Sequence, residues 1–330
     1  MFKYVHLMFN DKFNKPIVDF LNTHFNPQDH LFLCKHLFKE FPFPTGANVV
    51  EIQSLYQINW NELHVEKIFC HSLFDNEVID FLYTHKDFLK KAVWIMWGGD
   101  VHSFEKNEKN LYVRHNFAGY IGNGDPDDIA KKIGKKVIPQ NLKFIFPIDK
   151  KLLDNCKNSK RKSLVIQINN SCDESTLEAL EWLSKFADKD VAVKTVLSYG
   201  QKQYKEQIIA LGKNIFGTKF EWLDKIVSPK FYTNYLAEND ILILNQNRPQ
   251  GQGNIYASFY LGKKVYIRSD VANFSRMQAE GYTVYDTKAI ENCTFAELIE
   301  NTSSAHNSEV VTLRFDEEKI IESWEAVLSL

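Results

Sequence analysis

The strongest constraint on the fold is a rhythm of short apolar runs, each followed by an amphipathic stretch. It occurs once before residue 150 and again after it. In the first half, 3–9, 29–34, 48–52, 67–71 and 92–97 read as strands, with Val137 and Ile138 as a late one. Residues 16–24 place Ile17, Phe20 and Leu21 on one helical face, and 75–82 do the same with Val78, Ile79 and Leu82. In the second half, 164–168, 191–197, 241–244 and 264–268 read as strands. Residues 174–187, 203–211 and 254–261 read as helices. Strands alternating with helices predict an α/β fold with parallel, doubly wound sheets. The polar, Lys-rich stretch 149–163 reads as a linker. Asp316 is placed to cap a last amphipathic helix carrying Ile320, Ile321, Trp324, Val327 and Leu328 on one face. The expected organisation is therefore two Rossmann-like domains, 1–150 and 151–315, with a terminal helix at 316–330. A chain of 330 residues is long enough for both cores.

Charge and cysteine usage narrow the function classes. Lys and Arg total 40 against 42 for Asp and Glu, a net charge of −2, so a whole-protein basic field for nucleic acid is absent. The cysteines Cys34, Cys70, Cys156, Cys172 and Cys293 are odd in number and form no C-x-x-C pair. That predicts reduced thiols in a cytoplasmic chain, not a disulfide framework or zinc site. The opening apolar run is broken by Asn10 and Asp11, so no signal peptide is expected. No apolar run approaches the ~18 residues of a membrane span. Only six residues are Arg: Arg114, Arg161, Arg248, Arg268, Arg276 and Arg314. Arg is the preferred bidentate partner of phosphate, so each one in a loop carries weight.

Four segments have residue types suited to chemistry. The strand 164–168 ends in Asn169, Asn170, Ser171, Cys172 and Asp173 just before a helix. Free N–H groups there suit a diphosphate or sugar, although plain N-capping explains the same residues. The strand 241–244 leads into a loop containing Arg248, Gln250, Gly251, Gln252, Gly253 and Asn254. Its glycines permit close backbone approach and its Arg offers a fork for phosphate. Residues 94–100, WIMWGGD, end an apolar strand with Asp100, readable as a general base or as a turn cap. His71 ends another strand and is readable as a proton acceptor or as a core histidine. Asp125 and Asp127 form a D-x-D pattern among glycines and Pro126, which reads as a helix-capping turn. His24, His30 and His36 recur at a spacing that suits no zinc motif. No metal and no cofactor are expected. Phe231, Tyr232 and Tyr235 read as core or as lining for a nucleoside. The lysines at 86, 90, 91, 131, 132, 135 and 136 form a solvated face or a contact for lipid phosphate.

Across most of the chain the sequence resembles the bacterial TDP-N-acetylfucosamine:lipid II N-acetylfucosaminyltransferase family, glycosyltransferase family 56. The resemblance rests on His71-Ser72-Leu73-Phe74, WIMWGGD at 94–100, 164–180, 194–211, 235–244 and RPQGQG at 248–253. Gly99 stands where the family often has Ala, and His102 where it has an aromatic. The resemblance implies the GT-B architecture: two facing Rossmann-like domains, with a C-terminal helix packing back on the first. It implies a nucleotide-sugar donor, dTDP-linked 4-acetamido-4,6-dideoxygalactose, held by Asn170, Ser171, Arg248, Gln250, Gly251, Gln252, Gly253 and Asn254. The implied acceptor is a polyprenyl-diphosphate-linked saccharide at the inner face of the cytoplasmic membrane, with Asp100 as base and His71 second. A UDP- or GDP-sugar transferase and a non-catalytic sugar-binding protein are the competing readings. A dehydrogenase is disfavoured because no G-x-G-x-x-G follows an early strand.

Overall fold

The computed structural model describes residues 2–39, 41–122, 124–140, 142, 150–156, 163–169 and 171–329. The chain divides into two compact units, Met1–Pro147 with Glu317–Leu330, and Ile148–Asp316. The first holds the strands β1 (Tyr4–Phe9), β2 (His30–Lys35), β3 (Val49–Glu51), β4 (Lys67–His71), β5 (Ala92–Ile95) and β6 (Gly119–Ile121). They form one parallel sheet in the order β3-β2-β1-β4-β5-β6. The second holds β7 (Leu164–Ile168), β8 (Val191–Val196), β9 (Phe220–Leu223), β10 (Ile241–Leu244), β11 (Lys264–Ile267) and β12 (Tyr285–Asp286). Their order is β12-β11-β10-β7-β8-β9, again all parallel.

Parallel strands are covered on both faces, so they read as continuous apolar runs. β5 and β10 follow this rule, with all four residues of each buried. Each sheet winds outward from its first strand and then reverses to that strand's other side. The reversals fall between β1 and β4 and between β7 and β10. Ligands of open α/β sheets bind at the carboxyl ends of strands at such reversals.

The terminal helix, Glu317–Leu328, belongs to the first unit. Its Ile320, Trp324 and Val327 share a core with Met8, Ile17, Phe32 and Phe69. The Lys67 ammonium donates to the Leu328 carbonyl at 3.1 Å, placing a cation at the negative end of the helix dipole.

Two local expectations fail. Val137 and Ile138 form no strand: Val137 is buried, Ile138 is 78% exposed, and the sixth strand is the short β6 instead. Gln140 makes an isolated bridge to Ile121 of β6. Within the expected linker, residues Lys150–Cys156 form a helix, because Leu153 and Cys156 find buried positions in the second unit. Among the described residues no helix is long and apolar enough to cross a membrane.

Candidate functional site

In the second unit the reversal between β7 and β10 brings two loops together. Gln250 Nε2 donates to Ser171 Oγ at 2.8 Å, across 79 positions of sequence. Asn273 Nδ2 holds the Gln250 carbonyl at 3.1 Å. Below them, the Asn169 side chain accepts from the Asn245 backbone N–H at 2.7 Å and donates to Thr176 Oγ1 at 2.8 Å. Asn169 thereby adopts φ 48°, and Asn170 lies outside the described residues.

The two helix starts at this reversal differ in charge. The helix Glu174–Leu183 begins at Asp173, whose carboxylate accepts from Ser171 Oγ at 2.8 Å and Ser175 Oγ at 2.5 Å. A resident anion already occupies that dipole end and disfavours a second. The helix Gln252–Tyr260 has no acid in its first turn. Its N-cap is Gly251 at φ 74°, a conformation that favours glycine. Arg248 is exposed in the loop before it, and Gly253 lies in its first turn. With no acid in its first turn and Arg248 three positions before its N-cap, this start is better suited to an anion than that of 174–183.

One side chain at this reversal, Arg276, escaped sequence reasoning. With its amide oriented to match, Gln252 accepts from both terminal nitrogens of Arg276 at 2.7 Å. Arg276 also donates to Asn273 Oδ1 at 3.0 Å. It sits in the helix Ala272–Ala279, so a search for Arg in loops passes over it. Asn254 Nδ2 donates to Tyr232 Oη at 2.8 Å, tying the helix 252–260 to Pro229–Ala237. The scarcity of Arg was the available signal for Arg276; Asn254 and Tyr232 were both named from sequence, but not as a pair.

In the first unit Asp100 is fully buried. Its Oδ2 accepts from Trp94 Nε1 at 2.7 Å and Leu73 N at 3.1 Å, and its Oδ1 from Trp97 N at 3.0 Å. Burial pushes its carboxyl above the usual range, against the pull of these bonds. Both oxygens of this buried carboxylate are engaged by fixed donors. These bonds latch the ends of β4 and β5, the turn-cap role that the sequence left open beside that of a base. The neighbouring Arg114 guanidinium stacks 4.0 Å from the Phe104 ring and reaches the Leu73 and Asp100 carbonyls at 3.3 and 3.4 Å. The glycines of WIMWGGD serve the same turn. Gly98 has φ 95°, and a Cβ on Gly99 would lie 2.6 Å from the Phe74 ring.

His71 ends β4 and is 2% exposed. Its Nε2 lies 3.0 Å from His6 Nδ1, and its Nδ1 is buried without a protein partner. Desolvation holds the imidazole down to about 3. Ser72 follows at φ 77°, with its hydroxyl also buried and unpartnered. Among the described residues Ser72 and Asn169 are the two non-glycine residues at positive φ, and each follows a strand at a sheet reversal. Backbone strain of this kind concentrates at functional sites. Asp125 caps the helix Pro126–Ile133 through Asp128 N, and Asp127 lies 3.5 Å from the Lys136 ammonium. Among the described residues no group of three or more His, Cys, Asp or Glu side chains is arranged to hold a metal ion.

Solved structures similar to this chain match it over nearly its whole length. Anabaena HepE in complex with UDP superposes with a TM-score of 0.65 at 12% identity, over 99% of each chain. The α,α-trehalose-phosphate synthase (UDP-forming) of Burkholderia vietnamiensis gives 0.66 at 8% identity, also over 99% of each. A glycosyltransferase of Rickettsia africae gives 0.64 at 11%, over 99% of this chain and 98% of that one. The chain has the GT-B fold. No protein-family model matches the sequence, and no curated protein matches it.

Proposed function

We propose that this protein is a glycosyltransferase that takes a sugar from a nucleoside diphosphate and joins it to an acceptor hydroxyl. The observation that carries this reading is the β7–β10 reversal. There an acid-free helix start, Arg248, and the Ser171–Gln250 pair lie together in a fold shared with UDP-bound proteins. As the bond from the anomeric carbon to the diphosphate breaks, negative charge gathers on the leaving group. Fixed N–H dipoles of Gly251, Gln252, Gly253 and Asn254 and the Arg248 guanidinium stabilise that charge most in the transition state. Gln252, braced by Arg276, and Gln250, braced by Ser171 and Asn273, keep the loop set before the donor arrives. In the first unit His71 receives the acceptor proton, and Asp100 positions the turn beside it.

Within this class we propose a dTDP-linked 4-acetamido-4,6-dideoxygalactose donor and a polyprenyl-diphosphate-linked saccharide acceptor at the inner membrane face. The WIMWGGD and RPQGQG resemblance supports that choice; the UDP bound to HepE favours a UDP-sugar instead. Thermal shift of the purified chain with dTDP, UDP, GDP and NAD separates them. A nucleotide at 100 times its Kd adds about 2.7 kcal/mol to the stability of the native state. Stabilisation by dTDP above the others supports the deoxyamino-sugar donor. Preference for UDP or GDP retains the transferase and discards that donor. Indifference to all nucleoside diphosphates refutes the transferase.

A further inference from the structure

His71 is the end of a buried chain of three imidazoles that crosses three adjacent strands. His6 Nδ1 lies 3.0 Å from His71 Nε2, and His6 Nε2 lies 2.9 Å from His30 Nδ1. All three residues are at most 2% exposed. They come from β4, β1 and β2, neighbours in the sheet, and the His6 ring is stacked between Phe32 and Phe69 at 4.6 and 5.0 Å. Desolvation keeps each imidazole neutral at pH 7, with His30 down to about 4 and His6 well below its ordinary value.

Neutral imidazoles joined this way admit only two arrangements, because each hydrogen bond needs one N–H and one lone pair. In one, His71 Nε2–H donates to His6 and His6 Nε2–H donates to His30, leaving His71 Nδ1 as a bare acceptor. In the other every N–H is reversed and His71 Nδ1 carries a proton. A His71 Nδ1 that can accept a proton requires the first arrangement. The bare nitrogen is then the buried, unpartnered His71 Nδ1, next to the unpartnered Ser72 hydroxyl. Two orphaned buried polar atoms at the carboxyl end of a strand call for a ligand that supplies their hydrogen bonds.

We propose that His71, His6 and His30 form a proton relay for the acceptor hydroxyl. This rests on the transferase reading above. The acceptor oxygen forms its bond to the anomeric carbon as the bond to the diphosphate breaks, and the diphosphate leaves with the electron pair. The acceptor proton passes to His71 Nδ1. The His71 Nε2 proton moves to His6 Nδ1, and the His6 Nε2 proton to His30 Nδ1. The positive charge then rests on His30 beside Asp29, away from the reacting centre, and the reverse hops reset the chain after product leaves. His71 is the catalytic residue; His6 and His30 are positioning residues that act through it.

The test is nitrogen NMR of the full chain labelled with ¹⁵N-histidine, assigned through His6→Phe, His30→Phe and His71→Phe. The relay requires His71 to show a bare Nδ1 and a protonated Nε2 at pH 7, with His6 in the same sense. A protonated His71 Nδ1 overturns it. In His6→Phe the His71 ring loses its fixed tautomer and shows both; a single unchanged tautomer overturns the positioning role. Near-UV circular dichroism checks the fold of this variant, and His6→Gln replaces it if the fold is lost. Nucleotide release from dTDP-glucose and UDP-glucose supplies the kinetic arm. His6→Phe is expected to lower kcat roughly 10- to 100-fold with KM within about twofold, because proton transfer contributes ~100-fold or more; an unchanged kcat overturns the relay. A wild-type chain that binds no nucleotide refutes the transferase instead, and the nitrogen spectra still decide the polarity of the chain.

Discussion

Acidification from pH 7 to pH 5 should destabilise the first unit through its three buried imidazoles. Each has a native pKa held below the ordinary 6.5 by desolvation, at about 3 for His71, about 4 for His30, and well down for His6. In that window the unfolded chain binds protons that the native state refuses. Stability therefore rises with pH between the native and unfolded values and falls on acidification. One pH unit corresponds to about 1.36 kcal/mol per group, and about 1.5 units separate the unfolded value from pH 5. Each imidazole then costs about 2 kcal/mol at pH 5 relative to pH 7. The assay is urea unfolding at both pH values, followed by tryptophan fluorescence, for wild type and His6→Phe. Trp60, Trp94, Trp97 and Trp324 report on the first unit and Trp182 and Trp222 on the second, so transitions of the two units are fitted separately. The wild-type loss for the first unit should exceed that of His6→Phe by about 2 kcal/mol. Equal losses would show that His6 is protonated in the native state, and the neutral, fully hydrogen-bonded chain would be refuted.

Asp100→Asn must place an amide N–H₂ among three donors. Turned to spare Trp94 and Leu73, it orphans the Trp97 N–H and should cost about 1–3 kcal/mol in the same unfolding assay. Nucleotide binding by the second unit should persist; full stability with abolished transfer would return Asp100 to the role of base. Arg248→Ala should lower kcat/KM for sugar transfer about 100-fold, from the loss of a charge-assisted contact of ~3 kcal/mol, and wild-type kinetics would remove it from the site. Gly200 has φ 96°, and a Cβ there would overlap the Cys172 carbonyl, which accepts from Gln201 N at 2.7 Å. Gly200→Ala should therefore lower the melting temperature of the second unit and weaken nucleotide stabilisation by distorting the adjoining Ser171 loop; an unchanged melting profile would show that the loop relaxes freely.

The strands that were legible from sequence are the buried central ones. Apolar runs such as Ile68-Phe69-Cys70 and Ile241–Leu244 carry their own signature because both faces are covered. The edge strand β3 was legible at 48–52, but the other three edge strands, β6, β9 and β12, escaped. β6 has three residues, begins at Gly119 and is followed by Gly122, and β12 has two, too short for any periodicity to register. The helix Glu108–His115 escaped because its sequence is polar almost throughout, with its buried face made of Asn110, Val113 and Arg114. The site shows the same division. Glycines and a scarce Arg after an apolar strand mark the 245–254 loop by residue type alone. Asp100 was visible as a residue of chemical interest, yet its role depends on Trp94 Nε1, Trp97 N and Leu73 N closing around it. His30 was dismissed because its spacing from His24 and His36 suits no motif, while its partner is His6 on the next strand.

The amino-acid sequence by itself determined the alternation of strand and helix, hence two parallel α/β sheets, and it determined which loops hold groups able to meet phosphate. These properties are local: apolar period, turn residues and side-chain chemistry act over a few positions. Only the tertiary structure decided which of those groups meet. Ser171 and Gln250 are 79 positions apart, and His6 and His71 are 65 apart. Their contacts exist because parallel pairing sets distant strand ends side by side. Burial then narrows the roles that one residue type permits, closing donors around Asp100 and leaving His71 Nδ1 without a protein partner.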